Sequence, residues 1–162
     1  MHDTSYTEMG RHFVKNFKQD SVKTILDVGS CSVKDDRTYR KLILPNWKYT
    51  GCDLHAGDNV DLIMADEDHI PVLDDSFDIV ISGQCLEHVR RPWVLVKEMA
   101  RVLKRGGWMF VVAPFMWHVH RYPLDCWRFL PDGLQTILED AGIQCTKAYI
   151  NFNDCWGIGK KL

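Results

Sequence analysis

The feature that most constrains the fold is a succession of short, almost purely apolar runs, each closed by a small, acidic or turn-forming residue. They fall at 24–29 (TILDVG), 48–53 (KYTGCD), 60–64 (VDLIM), 77–82 (FDIVIS) and 108–113 (WMFVVA). Continuous rather than alternating hydrophobicity marks strands buried on both faces, as in a parallel sheet sandwiched between layers. Two further strands are expected at 144–152 and 155–160, joined by a tight turn at Asn153–Asp154, which makes that pair antiparallel.

Helical periodicity accompanies these strands. Tyr6, Met9, Phe13 and Phe17 recur at spacings of three and four within 4–19 and define one helix face. A helix over 92–104 has Pro92 in its first turn, basic residues near its end and Gly106–Gly107 as its stop. A helix-like stretch covers about 36–44, and a last helix covers 131–141 before Gly142. The link between the second and third strands, 54–59, is too short for a crossover helix. The fold class expected is therefore an α/β three-layer sandwich over a mostly parallel sheet. The chain, 1–162, reads as one domain, with 1–20 serving either as a lid or as core.

Composition narrows the function classes. A net charge of −2 gives no electrostatic footprint for nucleic acid. No run approaches the roughly 20 apolar residues of a membrane span, and the N-terminus lacks a signal-peptide core; a cytoplasmic protein is expected. The six cysteines include no CxxC pair, so zinc-ribbon and thioredoxin-like readings lose their support.

In an open parallel sheet, ligands bind beyond the carboxyl ends of the strands. Gly29, with Asp27 before it and Ser30 and Cys31 after it, permits a sharp turn and close backbone approach; the plain alternative is a turn glycine beside a capping serine. Asp53 ends the second strand, where a carboxylate suits a ribose diol, although strand-end aspartates also cap loops. Asp66 and Glu67, after the third strand, suit an adenine contact or are merely a solvated acidic loop. Gly83 and Gln84 end the fourth strand; His88 nearby reads as a structural histidine. The four strand ends share one sheet edge, which is what gives them weight together.

From about Ile25 to Lys161 the sequence resembles the class I, Rossmann-like S-adenosylmethionine-dependent methyltransferases, especially their small methyltransferase-domain branch. ILDVGS at 25–30 resembles the family's first motif. FDIVIS at 77–82 with LEHV at 86–89 resembles its "F-D-x-V…L-E-H-V" segment, and LKRGG at 103–107 its "L-K-P-G-G" turn. The segment 66–71 resembles its adenine segment, and the stretch from His120 to Leu134 resembles a segment of the same branch. The resemblance implies strand order 3-2-1-4-5-7-6, the seventh antiparallel. It also implies S-adenosyl-L-methionine as cofactor, held by Asp27, Gly29, Ser30, Cys31, Asp53, Leu54, Asp66, Glu67, Gly83 and Gln84. One departure is that Cys31 and Val33 stand where the family has glycines.

Methyl transfer by such a cofactor is an in-line displacement at carbon, and positioning supplies much of the catalysis. The segment 115–129 is the expected substrate wall for a small-molecule acceptor. Within it, His118 or His120 is expected as base, Trp117 and Tyr122 as contacts, and Arg121 or Arg128 as an anion holder; the bland alternative is a capping loop. His118 and His120 with Asp125 lack a third strong ligand, so no metal is expected. Two rivals stand beside this reading. A nicotinamide oxidoreductase would require G-x-G-x-x-G, which is missing after the first strand. A non-catalytic cofactor- or partner-binding module is compatible with the missing glycines.

Overall fold

The computed structural model describes residues 3–18, 21–32 and 37–162. Its elements are α1 (Asp3–Asn16), β1 (Thr24–Val28), β2 (Lys48–Asp53), β3 (Leu62–Ile63), β4 (Phe77–Gly83), α2 (Pro92–Val102), β5 (Leu103–Pro114), α3 (Pro131–Asp140), β6 (Ile143–Asn151) and β7 (Asp154–Lys161). Single 3-10 turns occupy Tyr39–Leu42 and Leu86–His88. The start of the helix expected at 36–44, the ends of the 1–20 segment and the departure at Val33 lie outside the described residues. No helix of the described residues is long and apolar enough to cross a membrane.

The seven strands form one sheet in the order β3-β2-β1-β4-β5-β7-β6. Pairings from β3 through β5 are parallel, and β7 runs antiparallel to both β5 and β6. This is the order that the resemblance implies. Alternate residues of the central strands feed two cores, as the two-residue strand period requires. Leu26, Val28, Val80, Met109 and Val111 face α2 and α3. Ile25, Ile79, Ile81, Phe110 and Trp156 face α1 and the turn at Tyr39.

Met9 and Phe13 are 0% and 1% exposed against the sheet, so α1 is a layer of the core. It fills a face on which the described crossovers from β1 to β2 and from β2 to β3 contain only one 3-10 turn. Its first turn reaches the carboxyl edge, where the Thr4 hydroxyl donates to Asp154 at 3.4 Å.

The third strand is shorter than expected, Leu62–Ile63 rather than 60–64, the described part of the stretch at 36–44 is a 3-10 turn rather than a helix, and two further boundaries shift. The helix at 92 ends at Val102, and Leu103 already pairs opposite Phe77 as β5. Leu103 is fully buried, so its apolar side chain serves the sheet rather than another helical turn. Gly106–Gly107 therefore does not stop a helix. It lies in the irregularity where β5 shifts register on β4; Gly106 has φ +76°, and a Cβ on Gly107 would lie 2.9 Å from the Asp78 carbonyl oxygen. The final hairpin turns at Phe152–Asn153, one residue early, with Phe152 at φ +55°.

Candidate active site at the carboxyl edge

β1 and β2 lie side by side in parallel, and their ends set the first group. The Gly29 and Ser30 amides both donate to the Cys52 carbonyl, at 2.9 and 3.1 Å, which folds the chain tightly after β1. Gly29 has φ +81°, and a Cβ there would lie 2.5 Å from the Cys85 Cβ, so only glycine fits beneath that side chain. Asp53, at the end of β2, accepts the Cys31 amide on Oδ2 at 3.0 Å and the Leu54 amide on Oδ1 at 2.7 Å. Each carboxylate oxygen keeps a second lone pair. The side chain is half-buried and held from both sides by these two amides. The Leu54 side chain is partly buried against the core. The Ser30 hydroxyl donates to the Asn59 carbonyl at 3.1 Å, closing the loop behind.

Three buried acids converge on this edge: Asp27, Glu87 and Asp154, at 3%, 0% and 0% exposure. Burial pushes the Asp27 carboxyl up to about 7, aided by the charge of Asp53 and opposed by the Tyr49 hydrogen bond and Arg40. Tyr49 is itself positioned by Asn59, whose amide donates to the phenol oxygen at 2.9 Å, and Arg40 donates to Asn59 at 2.7 Å. Burial likewise raises Glu87 to about 8. Asp154 accepts the Gln84 side-chain amide at 3.0 Å; Gln84 sits at φ +57° and donates its own amide to Val112 at 2.8 Å. The Tyr39 ring is buried over Gly83, where a Cβ would meet its hydroxyl at 2.3 Å. Burial drives the Tyr39 phenol well above its ordinary range, and the fields of Asp27, Asp154 and Glu87 all add to this.

The acidic loop after β3 is tied in place. Asp66 accepts the Asp68 amide at 2.9 Å, Glu67 accepts the Arg90 amide at 3.1 Å, and Arg91 pairs with Asp68. The loop after β5 is anchored to Glu87, whose carbonyl accepts the Cys126 and Trp127 amides at 2.7 and 3.3 Å. Within this loop the expected roles separate. Arg128 is fully engaged: it forks onto Asp125 at 2.5 and 2.8 Å and donates to the Trp117, His118 and Trp127 carbonyls. It is a strut of the loop rather than an anion holder, and it holds the Asp125 carboxyl well below the usual range. His118 is exposed, its ring beside Trp117 with centroids 4.9 Å apart. His120 turns inward, edge-on to His88 at 4.9 Å, and Tyr122 flanks both at 6.3 and 5.9 Å. Burial lowers the His120 pKa, favouring the neutral base.

Sequence reasoning did not single out Tyr39, Tyr49, Glu87 or Asp154. Glu87 had a signal, since it lies in the LEHV segment; the others come from a 3-10 turn, a strand middle and a hairpin, and only the fold brings them to one edge. A cavity of about 400 Å³ at the opposite end of the sheet, beside Phe17 and Trp108, contains the Lys104–Asp78 ion pair at 3.2 Å and none of the residues gathered at the carboxyl edge.

A family model described as "Methyltransferase domain" matches residues 26–111, more than half of the chain. The chain belongs to the methyltransferase domain family. An uncharacterized methyltransferase of Mycobacterium ulcerans is 38% identical over 73 residues, which are 45% of this chain and 28% of that protein. The ubiquinone biosynthesis O-methyltransferase of Hydrogenovibrio crunogenus is 34% identical over 110 residues, 60% of this chain and 45% of that one. The chain thus spans less than half the length of these relatives. The Burkholderia thailandensis 1,6-didemethyltoxoflavin-N1-methyltransferase, solved with bound 1,6-didemethyltoxoflavin and S-adenosylhomocysteine, superposes with a TM-score of 0.75. That match has 11% identity and covers 98% of this chain and 79% of that one.

S-adenosylmethionine is the cofactor of this methyltransferase family, and the residues present fit it. Asp53 offers oriented acceptors for a diol. Asp27 complements a ligand carrying a sulfonium and an ammonium group, because a cation offsets the burial that raises its carboxyl.

Proposed function

We propose that the chain transfers a methyl group from S-adenosylmethionine to a small-molecule acceptor. The observation that carries this reading is the Asp53 carboxylate at the end of β2, fixed by the Cys31 and Leu54 amides with lone pairs left for a ribose. The bound cofactor supplies an electrophilic methyl on a cationic sulfur. The chain does the rest by holding and aligning. The turn at Gly29–Cys31 and the strand end at Gly83–Gln84 border the cofactor, with Asp27 supplying negative field beneath. Asp66 and Glu67 flank the adenine. Trp117 and Tyr122 line the acceptor side, where His120 presents a neutral imidazole for an acidic proton of the acceptor; His118, at the surface, is the weaker base.

Calorimetry with S-adenosylhomocysteine tests the cofactor half of the reading. Asp53→Ala removes charge-assisted bonds and is expected to weaken binding by roughly 1.5–3 kcal/mol. Equal affinity of variant and parent would remove the ribose assignment. The non-catalytic alternative draws on Tyr39, whose ring fills the space over Gly83, and on Cys31 in place of glycine. Tight cofactor binding without turnover across hydroxyl, amine and thiol acceptors would favour it.

A further inference from the structure

The side chains of Glu87, His88 and His120 meet at one point. Glu87 is fully buried, and neither of its carboxylate oxygens accepts a hydrogen bond. Arg128, whose charge reaches it, is clamped to Asp125. Two imidazoles face it instead. His88 has Nδ1 2.6 Å from the Leu124 carbonyl oxygen, which fixes the proton on Nδ1 and leaves the Nε2 lone pair 3.6 Å from Glu87 Oε1. His120 has Nδ1 3.2 Å from the His118 carbonyl oxygen and 3.4 Å from Asp125 Oδ2, so its proton also belongs on Nδ1; its Nε2 lies 3.9 Å from the same Glu87 oxygen. The three atoms lie within 4.8 Å of one another.

With the carboxyl ionised by a cation and both imidazoles neutral, all three atoms are acceptors with no donor between them. The separations are too long for hydrogen bonds and wider than the edge of a metal coordination shell. Bonds of about 2.1 Å in tetrahedral geometry put neighbouring ligand atoms ~3.4 Å apart. The two Glu87 distances exceed that by about 0.2 and 0.5 Å, and the histidine pair, within 4.8 Å, would close by up to about 1.4 Å around a cation. The supporting shell also matches: each histidine directs its other ring nitrogen at a carbonyl or carboxylate, the arrangement that orients metal-ligating imidazoles.

We propose that Glu87, His88 and His120 bind a divalent first-row transition metal ion such as zinc. A His₂-carboxylate set leaves coordination positions open. These would face the half-buried histidine side, next to the exposed ring of Tyr122. If the methyltransferase reading holds, such a position would hold and acidify an oxygen of the acceptor, with His120 then a ligand in place of the free base; metal binding itself does not depend on that reading. The set also differs from the one the sequence offered: His118 takes no part, and Glu87 supplies the ligand that His120 and Asp125 lacked.

The test uses the full chain, stripped with a chelator and titrated with Zn²⁺ and with Co²⁺. One ion per chain is expected. The cobalt form should show visible absorption without thiolate charge-transfer bands. Glu87→Gln and His120→Ala should each weaken binding by at least about tenfold, while His118→Ala leaves it intact. Glu87 is buried and its variant can fail to fold, so His120→Ala, at a partly exposed position, is the deciding variant. Metal should raise the melting temperature of the parent and of His118→Ala, but not of His120→Ala. No binding at micromolar metal, equal affinity in His120→Ala, or a cobalt spectrum with thiolate bands from the free cysteines would each overturn the proposal. S-adenosylhomocysteine titrated into the stripped protein separates this outcome from failure of the cofactor reading.

Discussion

Gly29 shows how a single atom sets the geometry of the cofactor edge. Its backbone is left-handed at φ +81°, and the space where a Cβ would stand is taken by Cys85, 2.5 Å away at Cβ and 2.6 Å at Sγ. Gly29→Ala therefore combines backbone strain with a clash and is expected to cost about 1–3 kcal/mol of stability. Cys85→Gly removes the clash but not the strain, so the double variant should recover part of that loss. Urea unfolding of the two single variants and the double variant measures the coupling. Strictly additive losses would show that Cys85 does not form the ceiling over Gly29. The glycine was legible in the sequence as a turn residue, but its tight contact with Cys85 was not. Those residues are 56 positions apart and meet only because β1 and β4 are neighbours.

At the scale of elements, α1 shows what periodicity conveys and what it leaves out. Spacings of three and four identified Tyr6, Met9, Phe13 and Phe17 as one face, but the same stripe suits a mobile lid and a packed layer. Burial decides it. Phe13 sits edge-on to both Trp47 and Phe110, with centroids 5.6 and 6.0 Å away. Phe13→Ala is accordingly expected to lower stability by about 3–5 kcal/mol, with unfolding still a single transition. A loss under about 1 kcal/mol, or early separate melting of α1, would restore the lid. The strands were legible because their apolar runs are continuous and their ends carry turn residues. The start of β5 was not, because Leu103 suits a helix end and a buried strand equally well. Only its pairing with Phe77 distinguishes them. Of the site, Asp53 could be read from its position at a strand end. The role of Arg128 could not, because the fork onto Asp125 depends on how the loop after β5 folds back.

For the whole molecule, the acids that the sheet gathers at one edge make stability depend on pH in an unusual direction. Asp27 is the clearest case. Its carboxyl faces Tyr49, Tyr39, Asp53 and Arg40, and burial raises its pKa from 3.8 to about 7. Below about pH 4 the group is protonated in both folded and unfolded chains and has no effect on the balance. Between there and about pH 7 the unfolded chain has released the proton and the folded chain has kept it. The folded state then binds more protons, so its stability falls as pH rises, by up to about 1.4 kcal/mol per pH unit. Above about pH 7 both states are ionised and the contribution levels off. Asp27→Asn keeps an acceptor for the Tyr49 hydroxyl and removes the titration. Urea midpoints measured from about pH 5 to about pH 8 should converge or cross between parent and variant, the variant gaining relative stability toward the alkaline end. Parallel curves across that window would mean that Asp27 is already ionised in the folded protein, and that the edge does not hold its acids neutral in wait for a cation.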